Sequence, residues 1–161
     1  MTDQHGSHER DAALAEELKA HHAKMIQDLD RFATALADAA ASGDDAVGAR
    51  HDLERWVADV LVPHAAAEEE TTYRAAGDLT EGRSLIKSML AEHELIRLTA
   101  RRAAEADDPV AAGAFARALF DMFDSHQRKE NNIILPLLID ADSVSLTDVM
   151  ARAHHGHGHG H

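Results

Sequence analysis

Two stretches, His64-Ala65-Ala66-Ala67-Glu68 and His126-Gln127-Arg128-Lys129-Glu130, each set a histidine and a carboxylate four residues apart. On an α-helix four residues turn about 400° and rise about 6 Å, so both side chains lie on one face and can reach one metal ion. A single pair of this kind is more often an exposed helix pair than a ligand pair. Here each pair follows a helix-patterned segment with a lone inward histidine, His22 before the first and His93 before the second. The order is lone His, His-x-x-x-Glu, lone His, His-x-x-x-Glu.

Buried, unpaired carboxylates are costly unless they are protonated, paired or bound to a cation. Glu68 and Glu130 have no inward Lys or Arg at their level apart from Arg97. Two cations would neutralise them and use all four imidazoles. Each His would give one nitrogen and each Glu could bridge, which suits a dinuclear iron or manganese site with positions left for solvent or a small ligand. Taken singly, His22 and His93 read more often as hydrogen-bonded core histidines than as ligands. Met25, Met89 and Met122 read as core filler, Trp56 as a core or seam residue, and Glu69 and Glu70 as facing outward or sideways.

Four long helices have to position these groups. The first is expected over about 11–41, with Leu14, Leu18, His22, Met25, Leu29, Phe32 and Leu36 inward and His21 about 100° round on the flank. Ser42-Gly43 ends it, and Asp44 or Asp45 can cap the next. The second spans roughly 45–75, with Leu53, Val57, Val60, His64, Glu68 and Thr71 inward and Pro63 expected to kink it. The third runs from about Thr80 to Ala106, with Ile86, Met89, His93, Ile96 and Ala100 inward. Asp108-Pro109 opens the fourth. That helix carries Leu119, Met122, His126, Glu130, Ile133 and Leu137 inward, and Pro136 should bend or end it. Ser145-Leu146-Thr147-Asp148 can cap a short fifth helix. The expected organisation is a disordered arm at 1–10, a helical bundle at 11–141, a short helix at 142–153 and a disordered His/Gly tail at 154–161. Two helix pairs, 11–75 and 80–140, would pack face to face as an antiparallel up-down four-helix bundle, all-α in class.

Composition narrows the function. The 161 residues suit one domain with a real core. A formal net charge of -13 argues against nonspecific nucleic-acid or anionic-lipid partners, and aromatics at 4% leave little for base stacking. Cysteine is absent, so thiolate metal sites and disulfides are excluded. With no membrane-length apolar run and no signal-peptide core at Met1–Gly6, the expectation is a soluble cytoplasmic protein.

The segments His21-His22, His64–Glu69, Ala91-Glu92-His93 and His126–Asn131 running into Leu135-Pro136-Leu137 resemble a hemerythrin-like, HHE cation-binding domain over about residues 15–140. The resemblance implies a bundle with two iron ions, oxo- or hydroxo-bridged, with Mn or Zn as alternatives. It makes His22, His64, His93 and His126 terminal ligands and Glu68 and Glu130 bridges. It implies handling of dioxygen, peroxide or nitric oxide, a possible electron donor or appended domain, and catalase- or peroxidase-like activity as one outcome. Oxygen-carrying members place a fifth histidine four residues after the third-helix histidine. Here that position is Arg97, expected at the rim of the site with its donors toward an oxygen ligand, or else turned outward to pair with Glu94, Glu92 or a neighbouring helix. Some members place a tyrosine two turns after the second-helix histidine. Here that position is Thr72, with Tyr73 about 100° away. Metal storage or buffering with iron or zinc, and a metal-free helical interaction module, are the competing readings. The His/Gly tail could bind Ni, Cu or Zn, or be a solvated tail.

Overall fold

The structure is a computed structural model and describes residues 3–155. Among them the chain is all-helical, without a strand. Helix α1 is Asp3–Ser42. Helix α2 (46–78) joins Ala46–Trp56, Val57–Leu61, Val62–Glu70 and Thr72–Asp78. Helix α3 is Arg83–Glu105. Helix α4 (109–140) joins Pro109–Lys129, Glu130–Ile134 and Leu135–Asp140. Helix α5 is Leu146–His155.

The caps follow the sequence. Gly43 takes φ 72°, a left-handed conformation open to glycine, and ends α1. Asp45 is the residue that caps α2, accepting from Val47 N–H at 3.0 Å. Asp108 accepts from Val110 and Ala111 at the start of α4. Ser145 Oγ accepts from Asp148 N–H at 3.3 Å to open α5.

The first helix begins at Asp3 rather than Asp11, so the segment expected as a disordered arm is helical from Asp3. The cause is α5. It folds back on α1 and buries Asp11, which accepts from Leu146 N–H, Thr147 N–H and the Thr147 and Ser145 hydroxyls. This fixes the helix axis at Asp11, and the preceding residues extend it. The tail is expected from His154, but α5 runs on through His154 and His155; the rest of the tail, 156–161, lies outside the described residues.

Neither proline ends its helix. Pro63 and Pro136 are each preceded by a π-helical turn, Val57–Leu61 and Glu130–Ile134. Val62 N–H reaches back five residues to Val57 O, and Leu135 N–H to Glu130 O. A helix-interior proline crowds the carbonyl four residues earlier. Those carbonyls, of Asp59 and Asn132, lie inside the widened turns, and the helices continue. Each π turn also inserts one residue into the helical register. The buried stripe after Glu130 is therefore Ile134 and Leu138, not Ile133 and Leu137, and Ile133 is 48% exposed. In α2, Leu53, Glu68 and Thr71 are buried as expected, but Trp56 and Leu61 are buried where Val57 and Val60 were expected, and those two are only half-buried. The α3 stripe Ile86, Met89, His93, Ile96 and Ala100 is buried as expected. On α4, Phe123 rather than Met122 is fully buried.

Two apolar clusters form the core. One gathers Met25, Leu29, Trp56, Leu61, Ile96 and Phe123, and the other Ala15, Tyr73, Met89, Ile134, Leu138 and Leu146. On each of α1 to α4 the proposed donors lie between a residue of one cluster and a residue of the other. The chain crosses this level four times, in alternating direction. Helix α4 runs along both α1 and α3, and α2 lies against α1 and α3. At Gly113 α4 packs closely on α1: a Cβ there would sit 3.0 Å from Ala37 Cα. No described helix is long and apolar enough to cross a membrane.

Candidate metal centre

All six expected donors meet between the two apolar clusters. His22, Glu68, His93, His126 and Glu130 are buried and His64 is nearly so. The four imidazoles turn Nε2 toward the two carboxylates. His64 Nε2 lies 2.8 Å from Glu68 Oε1 and His126 Nε2 lies 2.8 Å from Glu130 Oε1, each across one helical turn. His22 Nε2 is 3.4 Å from Glu68 and 3.5 Å from Glu130, and His93 Nε2 is 3.6 Å from Glu68. The donors fall into two groups, His22/His64/Glu68/Glu130 and Glu68/His93/His126/Glu130, each with ligand atoms within 4.8 Å of one another. Both groups share both carboxylates.

The far side of three imidazoles is also occupied. His22 Nδ1 lies 2.6 Å from Asn131 Oδ1, His93 Nδ1 2.8 Å from Glu69 Oε1, and His126 Nδ1 2.8 Å from Glu92 Oε2. A neutral imidazole carries one N–H. These rings face oxygen at both nitrogens. With Nδ1–H donating outward, each Nε2 lone pair points at a carboxylate, and the gap between them calls for a cation. His64 Nε2, Glu68 Oε2 and Glu130 Oε2 are buried without a hydrogen-bond partner, which fits the same account.

The metal-free electrostatics lean the same way. Burial raises the Glu68 carboxyl, but contacts from His22, His64 and His93 outweigh it and hold the group well below its ordinary range. Burial and then the Glu68 charge push Glu130 up. Burial disfavours charged His22 and His126, yet their carboxylate partners raise both above the ordinary histidine value. Two buried carboxylates at one spot cannot both ionise without positive charge nearby.

Tyr73 is the site residue that the sequence pattern missed. Its phenol donates to Glu130 Oε1 at 2.6 Å and lies 2.8 Å from His126 Nε2 and 3.3 Å from His93 Nε2. Its ring stacks on His93, centroids 5.0 Å apart. Uninterrupted helical geometry would point it aside. Thr71, at φ -115° and ψ -95°, breaks α2 after Glu70 and turns Tyr73 inward. Burial, then the charges of Glu130 and Glu68, pushes the phenol far above its ordinary value, so it stays a donor.

Arg97 takes the outward alternative, and Glu69 turns sideways. The guanidinium does not face the donor gap. It reaches Glu69 at 2.8 Å and Glu94 at 3.0 Å, because a side chain one turn past His93 meets the acidic flank of α2 first. Glu69, on the flank of α2, joins Arg97 to His93. Lys129 pairs with Glu92 in the same way behind His126. His21 is exposed, as its flank position implied, with its ring 5.3 Å from that of His64.

The two halves differ in access. The His22/His64 side opens on a cavity of about 270 Å³ that includes Leu18, Thr71, Ile134 and, from α5, Met150. The His93/His126 side is filled by Tyr73.

The family model of the hemerythrin HHE cation binding domain matches residues 13–138, which include every donor above. The searches of curated proteins and of solved structures gave no match.

Proposed function

The chain belongs to the hemerythrin HHE cation-binding family, and from that membership we propose that it holds two iron ions in an antiparallel four-helix bundle and binds or reduces dioxygen, hydrogen peroxide or nitric oxide. The observation that carries this reading is the sharing of Glu68 and Glu130 by two donor groups, each with its own pair of histidines. His22 and His64 would hold one ion, His93 and His126 the other, and the two glutamates would bridge. Bound iron supplies one-electron redox steps and coordination positions open to a small molecule.

The chain's own groups prepare the site. Asn131, Glu69 and Glu92 keep Nδ1 of three histidines protonated and so aim the Nε2 lone pairs inward. Tyr73 holds a proton on its phenol oxygen beside Glu130 and can donate to oxygen there. The cavity beside His22 and His64 gives a small molecule its route. Sensing, scavenging or peroxide removal suits this site better than reversible oxygen carriage, because the position of a fifth histidine is Arg97 and its guanidinium is engaged by Glu69 and Glu94. We assign the protein to the cytoplasm on its cysteine-free composition.

The test is metal analysis of protein purified without added metal. About two irons per chain, with hydrogen peroxide consumed faster than by free iron, is the expected result. Zinc alone would favour storage or buffering. A folded protein without metal would sink the reading in favour of a helical interaction module.

A further inference from the structure

Away from the metal centre, α2 and α3 enclose a groove of about 510 Å³. Its floor is apolar: Leu53, Leu61 and Ala100 are buried, and Val62 remains 39% exposed. Its charged groups are Arg50, Arg97 and Arg101 against Glu54 and Glu94. On a chain of net charge -13 this is a local excess of positive charge. Arg50 donates to Ala104 O at 3.3 Å, and Arg97 is divided between Glu69 and Glu94. Arg101 is exposed and makes no ion pair or hydrogen bond among the described residues.

A volume of this size lies within the range of small-molecule sites, about 300–1,000 Å³. An apolar floor beneath an uncommitted guanidinium suits a molecule with a hydrocarbon body and an anionic head. A cationic head would meet the arginines, and a neutral one would gain nothing from the exposed Arg101 guanidinium, which a carboxylate can pair. We propose that this groove binds an amphiphilic carboxylate of the medium-chain fatty-acid class, with its head on Arg101 and its chain along Val57, Ala58 and Val62. The site does not depend on the reading of the metal centre, but it touches the centre twice. Arg97 holds Glu69, which accepts from His93, and the π turn Val57–Leu61 leads into His64. Occupancy of the groove is therefore coupled to the His93 ring through Arg97.

The experiment is calorimetric titration of the full chain, as purified and after chelation of metal, with decanoate, decanol and decyltrimethylammonium below their micelle concentrations. Saturable decanoate binding in both preparations is expected, stronger than decanol and much stronger than the cation. Arg101→Glu should weaken decanoate about tenfold or more. Ala58→Trp, from an exposed position on the groove wall, should abolish binding, and both variants should keep the wild-type melting temperature. Decanoate should also shift the His93 ring signals in the NMR spectrum, and a bound ligand that leaves them unmoved removes the coupling. No saturable binding, equal binding of the cation, or wild-type affinity in Arg101→Glu overturns the site. A wild-type dimer that Ala58→Trp dissociates would give the groove to a second copy of the chain and overturn it as well.

Discussion

Removing the His64 imidazole or the Glu130 carboxylate takes a donor from one group or from both. His64→Ala and Glu130→Ala are expected to lose metal, whereas His21→Ala, whose ring lies on the flank, should retain it; metal content per chain after gel filtration is the measurement. The carboxylates behind the histidines act one bond further out. Glu69→Gln and Glu92→Gln should each weaken metal binding by about 10–100-fold through loss of the charged acceptor on Nδ1. Arg97→Leu should cost less than Glu69→Gln, since it leaves the His93–Glu69 bond in place; competitive chelator titration ranks the three, and the opposite order would mean that Arg97 itself faces the metals. Tyr73→Phe deletes the donor to Glu130 Oε1. Hydrogen bonds to charged groups contribute about 1.5–3 kcal/mol. The metal-free protein should lose stability of that order in urea unfolding, with metal content unchanged.

At the scale of elements, the two π turns and the Thr71 break explain most of what helical periodicity misplaced. Each follows from local chemistry, a proline downstream or a backbone interruption, and each changes which side chains face inward. Helix α5 depends on another element for its start: Asp11 of α1 caps it through two backbone N–H groups and two hydroxyls. Burial raises the Asp11 carboxyl, but these hydrogen bonds outweigh it, and the net shift is below the ordinary value of 3.8. A carboxylate with a lowered folded pKa contributes stability above its unfolded pKa and loses it as pH falls through the folded one. Asp11→Ala should therefore cost about 1–2 kcal/mol at pH 7. Chemical denaturation across pH should show the gap between wild type and variant shrinking below pH 3.8, and a gap independent of pH would place the effect in packing instead.

For the whole molecule, the centre lies between two apolar clusters and ties four helices together, so metal and fold should stabilise each other. Metal bound only to the native state at about 100 times its Kd adds about 2.7 kcal/mol. For a chain of this length that corresponds to a Tm rise of about 5–11 °C in calorimetry. The His/Gly tail should contribute nothing to this. Truncation after Ala153 keeps the residues of α5 that wall the cavity, Met150 and Ala153, and should leave metal content and Tm unchanged. A loss of metal would show that the tail feeds or completes the site.

The meeting of the six candidate donors was legible in the sequence because a four-residue spacing is a helical repeat, and inward histidines stand out in an apolar stripe. Helix ends were legible at Gly43, Asp45, Asp108 and Ser145, where one side chain or one dihedral settles the matter. Other positions depended on groups far away in the chain. Asp11 reads as an exposed helix residue until α5, some 135 residues later, folds over it. Glu69, Glu92 and Asn131 gain their roles only when the histidines of other helices reach them. Tyr73 falls about 100° from the expected tyrosine position because helical phase is additive along the chain, and one irregular residue at Thr71 resets it. Periodicity fixes the face of a side chain only while the helix stays regular; which oxygen it meets there is set by the packing of its neighbours.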